Sequence, residues 1–392
     1  MAPVISPRGR YLVFGAPRLP EEAIEAVVEV LRSGWLGTGP RVAAFEEAFA
    51  RYIGAPFAVA VSSCTAALHL ALRLIGGGPG EEVITSPMTF AATANVIVHA
   101  GARPVFADVD PRTGNLDPEA TRDVLTSRTR AIIVVHYAGR PCEMDAFIDL
   151  ARRYGVFLVE DAAHALEAFY KGRKVGTLGD LAAFSFYPTK SLTTGEGGML
   201  ITRSEAWAER ARLLRMHGLS RDAWRRYSEE QFPDYEVLEA GYKYNMTDIQ
   251  AALGLAQLPY LEHWRQRREL LWQLYNEGLR DLAGIQLPPE DAHIVHARHL
   301  YTIRVDPQEA PFCRDELSRM LHQAGIGTGI HYKALHLHRF YQQAFGYRPG
   351  MFPHAERISE ETLSLPLTAH MDESDVLYVV ETIRQLWRRG RA

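Results

Sequence analysis

Short apolar runs recur through the first half of the chain: FAVAVS (57–62), EEVITS (81–86), RPVFADV (103–109), RAIIVVHY (130–137), VFLVED (156–161), LAAFSFY (181–187) and GGMLIT (197–202). Such short runs, rich in β-branched and aromatic residues, read as buried strands. Between most of them lie stretches such as TAALHLALRLIG and EMDAFIDLARRYG, with apolar residues at three- and four-residue spacing, which read as helices packed by one face. Strand and helix in alternation predict an α/β fold whose mostly parallel central sheet is covered on both faces.

From about Asp248 the texture changes. DIQAALGLAQLPYLEHWRQRRELLWQLYNEGL is a long helical pattern broken at Pro259, followed by one strand candidate, RHLYTIRVD, a helix, CRDELSRMLHQAG, and a closing helix from Asp372. The pattern predicts a large α/β domain over residues 1–250 and a small C-terminal α+β domain over 251–392. There are no internal repeats or low-complexity tracts.

Composition narrows the class of partner. The 392 residues are 47% hydrophobic and 23% charged, enough for a sizeable core, and 43 basic against 47 acidic residues leave a net charge of -4. Spread without long runs, this charge gives no footprint for nucleic acid or an anionic membrane, so small molecules and a second copy of the chain are the expected partners. Cys64, Cys142 and Cys313 are too few and too scattered for a disulfide framework or a zinc cluster, which suits a reducing compartment. MAPVISPRGRYLVFG lacks the apolar core of a signal peptide, and no run approaches the roughly 20 apolar residues of a membrane span. A cytoplasmic protein is expected.

In open α/β sheets ligands lie beyond the carboxyl ends of the strands, so residues at strand-to-helix junctions carry most of the chemistry. In VSSCTAALHLAL, Ser62, Ser63 and Thr65 could receive a phosphate at a helix N-terminus, or simply cap that helix. In VEDAAHALEA, Asp161 ends an apolar strand and His164 follows; the carboxylate could face a protonated ring nitrogen, or serve as a cap or ion pair, and His164 could be a core histidine. In FSFYPTKSLTTGEGGML, Lys190 stands in a polar loop ahead of Gly195, Gly197 and Gly198, which let the backbone pass close to something bulky, while Ser185 could add a phosphate contact. In PMTFAATANVIVHAG, Phe90 could stack on a flat ring or lie in the core. Each alone has an ordinary structural explanation. Jointly they describe one ligand with a phosphate, a pyridine nitrogen, an aromatic ring and an aldehyde, which is pyridoxal 5'-phosphate.

The blocks LRSGWLGTGPRVAAFEEAFARYIGA, AVSSCTAALHLAL, EDAAHA, SFYPTKSLTTGEGGM, GYKYNMTDIQAALGLAQL, GIGTGIHYKALH and LSLPLTAHM, in this order from about Ser33 to Met371, resemble the sugar aminotransferases of the DegT/DnrJ/EryC1/StrS family. The resemblance implies a fold-type-I pyridoxal-phosphate transaminase, a homodimer with its active sites at the subunit interface. It matches Lys190 to the Schiff-base lysine, Asp161 to the partner of the pyridine nitrogen, His164 to the residue beside the phenolic oxygen and Phe90 to the stacking aromatic. Thr65, Ala66 and Ser185 match phosphate contacts, Asn245 an asparagine reaching the phosphate from the neighbouring subunit, and His331 and Tyr332 residues near the sugar. Two positions depart from the family pattern: Cys64 stands where glycine is common and Ser191 where asparagine is common.

By the same resemblance the amino donor is L-glutamate and the acceptor a nucleotide-linked ketosugar. IVVHYAGRPCEMD, EDAAHALEAFYKGRKVG and GIGTGIHYKALHLHRFY look most like enzymes that aminate C4 of UDP-linked 4-ketosugars, including the UDP-4-keto-pentose aminotransferase of 4-amino-arabinose synthesis. GDP- and dTDP-ketosugar and keto-inositol aminotransferases are the alternatives. Pyridoxal-phosphate sugar dehydratases carry histidine in place of the lysine, so Lys190 argues against them, and the retained lysine, aspartate and phosphate residues argue against a non-catalytic binder. His293, His296 and His299, and His331, His336 and His338, lack a zinc-type motif, so no metal is expected.

Overall fold

The computed structural model describes residues 11–220 and 235–391. Residues 1–10, part of the N-terminal segment expected to lack a signal-peptide core, lie outside the described residues.

All seven apolar runs form strands of one sheet: β1 (Phe57–Val61), β2 (Glu82–Thr85), β3 (Arg103–Phe106), β4 (Thr129–Val135), β5 (Phe157–Asp161), β6 (Leu181–Ser185) and β7 (Gly198–Thr202). Their order across the sheet is β1-β7-β6-β5-β4-β2-β3. The pairs from β3 through β6 are parallel, as expected, while β7 runs antiparallel to both β6 and β1. Parallel neighbours need a crossover of a dozen or more residues, usually through a helix. No helix lies between β6 and β7, so the chain turns back on itself and β7 reverses. That turning loop is the one that carries Lys190.

Both sheet faces are buried. Along β4, Ala131 and Ile133 pack with Leu68, Leu72 and Val96, whereas Ile132 and Val134 pack with Phe45, Phe49, Phe147 and Phe184. This two-sided burial is why the strands read as continuous apolar runs rather than alternating ones. The eight helices used below are α1 (Glu21–Ser33), α2 (Pro40–Ile53), α3 (Cys64–Leu74), α4 (Ala91–His99), α5 (Asp248–Gln257), α6 (Leu261–Leu279), α7 (Arg314–Gln323) and α8 (Glu373–Arg391). The predicted break at Pro259 is a single 3-10 turn, Leu258–Tyr260, between α5 and α6.

Glu160, one residue before the end of β5, points away from the next residue's side chain, as strand geometry requires. It is fully buried yet fully used: its oxygens face His136 Nε2 at 3.0 Å and accept from the backbone N–H groups of Gly176, Leu178 and Gly179 at 3.0, 2.8 and 2.7 Å. Burial pushes its carboxyl up, but His136 and the backbone donors outweigh burial and hold it below the usual carboxylate range. The loop after β5 is thereby fastened to the sheet, and the end of β5 is fixed in place.

The C-terminal half departs from the expectation of one strand. β8 (Ile285–Gln286), β9 (Tyr301–Val305) and β10 (Thr362–Leu365) form an antiparallel sheet in that order. It packs with α6, α7 and α8 through Trp272, Tyr275, Leu317, Val379 and Trp387. A two-residue strand such as β8 is too short to show alternation, and β10 follows a helix, Pro353–Glu361, without an intervening turn residue. A second small sheet, Phe169–Tyr170, Arg173–Lys174 and Ile294–Val295, was likewise unexpected. Leu12 pairs with Ile326 and packs into the core of the small sheet, whereas Ala334, Tyr341 and Phe352 pack on Met88 and Phe106 beside β3, so C-terminal residues also help to wall the large sheet.

Candidate active site

The loop after β6 is held by a few strong contacts. Phe186 is buried; its N–H donates to Gly197 O at 2.9 Å and its carbonyl accepts from Thr194 N at 3.0 Å, closing the loop at its base. Gln257, the last residue of α5, clamps Thr193 from both sides, accepting from its N–H at 3.2 Å and donating to its carbonyl at 2.7 Å. Gly198 makes room for protein rather than for a ligand: a Cβ there would lie 2.4 Å from the Ser63 carbonyl carbon and 2.5 Å from Cys64 N, because β7 passes directly under the start of α3.

Lys190 projects from this loop, half-buried. No hydrogen bond or ion pair engages its ammonium among the described residues. Burial pushes its pKa down from 10.5 to about 8, with Cys64 and Asp161 opposing that shift. The same loop lines a cavity with His299, Arg268, Trp264 and Gln257.

The depressed pKa has a measurable consequence in the full chain without cofactor. Below pH 8 the folded protein carries a charge that burial disfavours; between about pH 8 and 10.5 the folded state releases that proton before the unfolded chain does, and the penalty is relieved. Lys190→Met is therefore expected to melt above wild type at pH 7, with the gap closing as pH rises through that window. A gap that stays constant from pH 7 to 10 would contradict this account of Lys190.

Asp161 ends β5 with its carboxylate buried. Oδ2 accepts from the Thr93 hydroxyl at 2.7 Å and Oδ1 from Ala163 N at 3.2 Å. Burial pushes its carboxyl up, and Thr93, Ala163, Lys190 and His136 only partly offset this. His164 follows in the turn after β5. Its Nε2 lies 3.1 Å from the Tyr332 hydroxyl, its ring is stacked with that of Tyr332, and it sits 4.7 Å from the His299 ring. Burial, then Lys190, His299 and His331, push its pKa well down, so its ring is neutral. Its Nδ1 is buried without a partner among the described residues.

The other expected residues surround this cluster to differing degrees. Phe90 caps the start of α4, 63% exposed, with its ring 6.3 Å from Tyr332. It is not a core residue, so its face is free to stack. His331 Nδ1 lies 2.8 Å from Ser364 Oγ, its ring is stacked with Phe14, and burial with Lys190 lowers its pKa to about 4. At α3, Ser63 is the cap, accepting from Ala66 N at 3.1 Å, so Ala66 N–H is already engaged while half-buried Thr65 stands in the first turn. Ser185 is half-buried at the end of β6. Asn245 is apart from the cluster: it bridges Val61 on edge strand β1, and its amide donates to Thr38 Oγ1 at 2.8 Å.

Three contributors escaped the sequence reading. Thr93 stands one turn after Phe90, a spacing that puts both at the same end of α4. His299 belongs to a histidine triplet that reads as a polar segment leading into LYTIRV, and no metal-binding group of three His, Cys, Asp or Glu exists among the described residues. Its neighbours separate instead, His293 to Glu143 and His296 against Trp272. Gln257, the clamp on the lysine loop, has no signal distinguishing it from any polar helix end.

A model of the DegT/DnrJ/EryC1/StrS aminotransferase family matches residues 17–384. The chain belongs to the DegT/DnrJ/EryC1/StrS aminotransferases. It is 46% identical over 384 residues to the spore coat polysaccharide biosynthesis protein SpsC of Bacillus subtilis, covering 98% of this chain and 99% of SpsC. Among solved structures it is similar to the aminotransferase TlmJ from Streptoalloteichus hindustanus, with 38% identity, a TM-score of 0.89, and coverage of 97% of this chain and 100% of TlmJ. It is also similar to Spr1654 from Streptococcus pneumoniae, assigned as a sugar aminotransferase and solved in a PLP form, with 31% identity, a TM-score of 0.89, and coverage of 97% and 99%. Spr1654 has also been solved in a PMP form.

The DegT/DnrJ/EryC1/StrS chain is thus a pyridoxal-phosphate-dependent sugar aminotransferase with the fold of its relatives, in agreement with the fold, cofactor and enzyme class expected from the sequence. Its own residues fit the cofactor: an amine and a His164 Nδ1 without a partner among the described residues, a buried carboxylate at a strand end and an exposed aromatic face converge on one place. No described helix is long and apolar enough to cross a membrane.

Proposed function

We propose that this chain transfers an amino group from L-glutamate to C4 of a UDP-linked 4-ketosugar, working as a cytoplasmic homodimer whose protomers divide into two domains near residue 250. The observation that carries the amino-transfer chemistry is the convergence of a pKa-lowered Lys190, unpartnered among the described residues, with buried Asp161. The choice of UDP and of C4 rests on the blocks around His136, Asp161 and His331 described above.

Pyridoxal phosphate, when bound, supplies an electron-withdrawing ring and carries the amino group between donor and acceptor. Lys190 would hold its aldehyde carbon, and an amine with a pKa of about 8 is neutral often enough near neutral pH to act as a nucleophile and then as a general base. Asp161 would hold a proton on the ring nitrogen. Neutral His164, with Nε2 engaged by Tyr332, would offer Nδ1 to the phenolic oxygen. Phe90 would cover the ring, and Thr65 and Ser185 would hold the phosphate, joined by the Ala66 N–H where it exchanges Ser63 Oγ for a phosphate oxygen. Asn245, at the open edge of the sheet, would serve the neighbouring subunit's site. His331 and Tyr332 would meet the sugar.

Incubation of the purified protein with L-glutamate and a panel of UDP-, GDP- and dTDP-linked 4-ketosugars, read by mass spectrometry, tests the substrate. An aminosugar from the UDP compound at the highest kcat/KM is expected. A strong preference for the GDP or dTDP compounds would overturn the UDP reading.

A further inference from the structure

Asp161 is almost wholly out of water, which disfavours its charged form. For the role proposed above it must nevertheless stay ionised. Within the cluster, the groups that bear on it are Lys190 from the loop after β6, His136 at the end of β4, Cys64 at the start of α3 and Tyr332. None of these four makes a hydrogen bond to the carboxylate. The only side-chain donor that does so among the described residues is Thr93, at 2.7 Å.

Thr93 is itself buried, as is Thr89 beside it, and their hydroxyl oxygens are 2.7 Å apart. A hydroxyl has one proton. Because Thr93 gives its proton to Asp161, the proton between the two threonines comes from Thr89. The result is a directed chain, Thr89 to Thr93 to Asp161, in which each donation strengthens the next. Helix α4 therefore delivers two things from its first turn: the Phe90 ring at its cap and the Thr93 hydroxyl one turn along.

We infer that Thr93, backed by Thr89, is the positioning residue for Asp161, fixing the carboxylate's orientation and holding it in its charged form. It acts through Asp161 rather than on the substrate, and valine, with the same shape, removes the hydroxyl alone. The inference rests on the role of Asp161 given above, and its first test is independent of that role.

In the full chain without cofactor, infrared difference spectra recorded through a pH titration report the protonated carboxyl of Asp161 by its C=O stretch, assigned by its absence in Asp161→Asn. In Thr93→Val this band should titrate about one unit higher in pH than in wild type. Thr89→Val should move it by less in the same direction, and Thr93→Ser should leave it in place. In the cofactor-loaded enzyme, Thr93→Val should lower kcat about tenfold with little change in either KM, and the acid limb of its pH profile should move up with the band. An unmoved band in both valine variants, or a Thr93→Ser variant as impaired as Thr93→Val, would overturn the inference. A band that moves while kcat and its pH profile do not would support Thr93's hold on Asp161 and count instead against the role given to Asp161.

Discussion

Lys190→Ala is expected to fold, to bind pyridoxal phosphate, and to lose at least about a thousandfold in the rate of amino transfer. Proton transfer by a positioned side chain alone contributes about 10²–10⁴-fold, and here one amine would serve as both nucleophile and base. Folding should survive because the lysine's ammonium makes no hydrogen bond among the described residues that its removal would orphan, and burial of its charge is unfavourable to begin with. Binding should survive because the proposed phosphate contacts and Asp161 lie on other elements. Single-turnover amination, followed by the loss of L-glutamate, is the measurement. A small primary amine added to the medium should restore part of the rate, since it replaces the missing group without its tether. Activity within tenfold of wild type would show that another base does the work.

The second large effect is expected at Asp161. Asn has nearly the same shape, so the loop after β5 should keep its geometry, and the amide oxygen can still accept from Thr93. What it cannot do is hold a proton on the ring nitrogen by charge. A charge-assisted hydrogen bond is worth roughly 1.5–3 kcal/mol, and one that strengthens as charge develops in the transition state acts on kcat. Asp161→Asn should therefore lower kcat by at least about tenfold, at roughly 1.36 kcal/mol per decade, with cofactor retained. An unchanged kcat would reduce Asp161 to a cap on the turn that follows it.

These two residues stand out in the sequence as candidates because each lies at or shortly after the end of a run that reads as a strand. VFLVED and LAAFSFY carry largely buried strands, so the polar groups at and just after their ends lie at the sheet's carboxyl edge, where ligands bind. The direction of β7 was not legible from its own residues, because an apolar run has no polarity along the chain. It was set by the missing helix in the loop before it. β8 carries too few residues to show a period at all, and β10 is fused to the preceding helix.

The site was less complete than the sheet for a physical reason. Lysine, aspartate and histidine stand out because their burial must be compensated, whereas a threonine on a helix is ordinary anywhere. Thr93 becomes informative only when β5 brings Asp161 to 2.7 Å from it across 68 residues of sequence. Asn245 raises a different difficulty. Its place beside Val61 and Thr38 is a property of one chain, and its proposed service to a phosphate is a property of two. Gly198 shows a correct signal with a different cause: the backbone does pass close to something bulky, and that neighbour is the first turn of α3.

Lys190, and no other lysine, is proposed to hold the cofactor. Borohydride reduction of the protein loaded with pyridoxal phosphate, followed by proteolysis and mass-spectrometric mapping, tests it most directly. The account predicts a single phosphopyridoxyl adduct on the peptide containing Pro188, Thr189, Lys190 and Ser191, at close to one per chain. An adduct on Lys174 or Lys243 with Lys190 unmodified would contradict it.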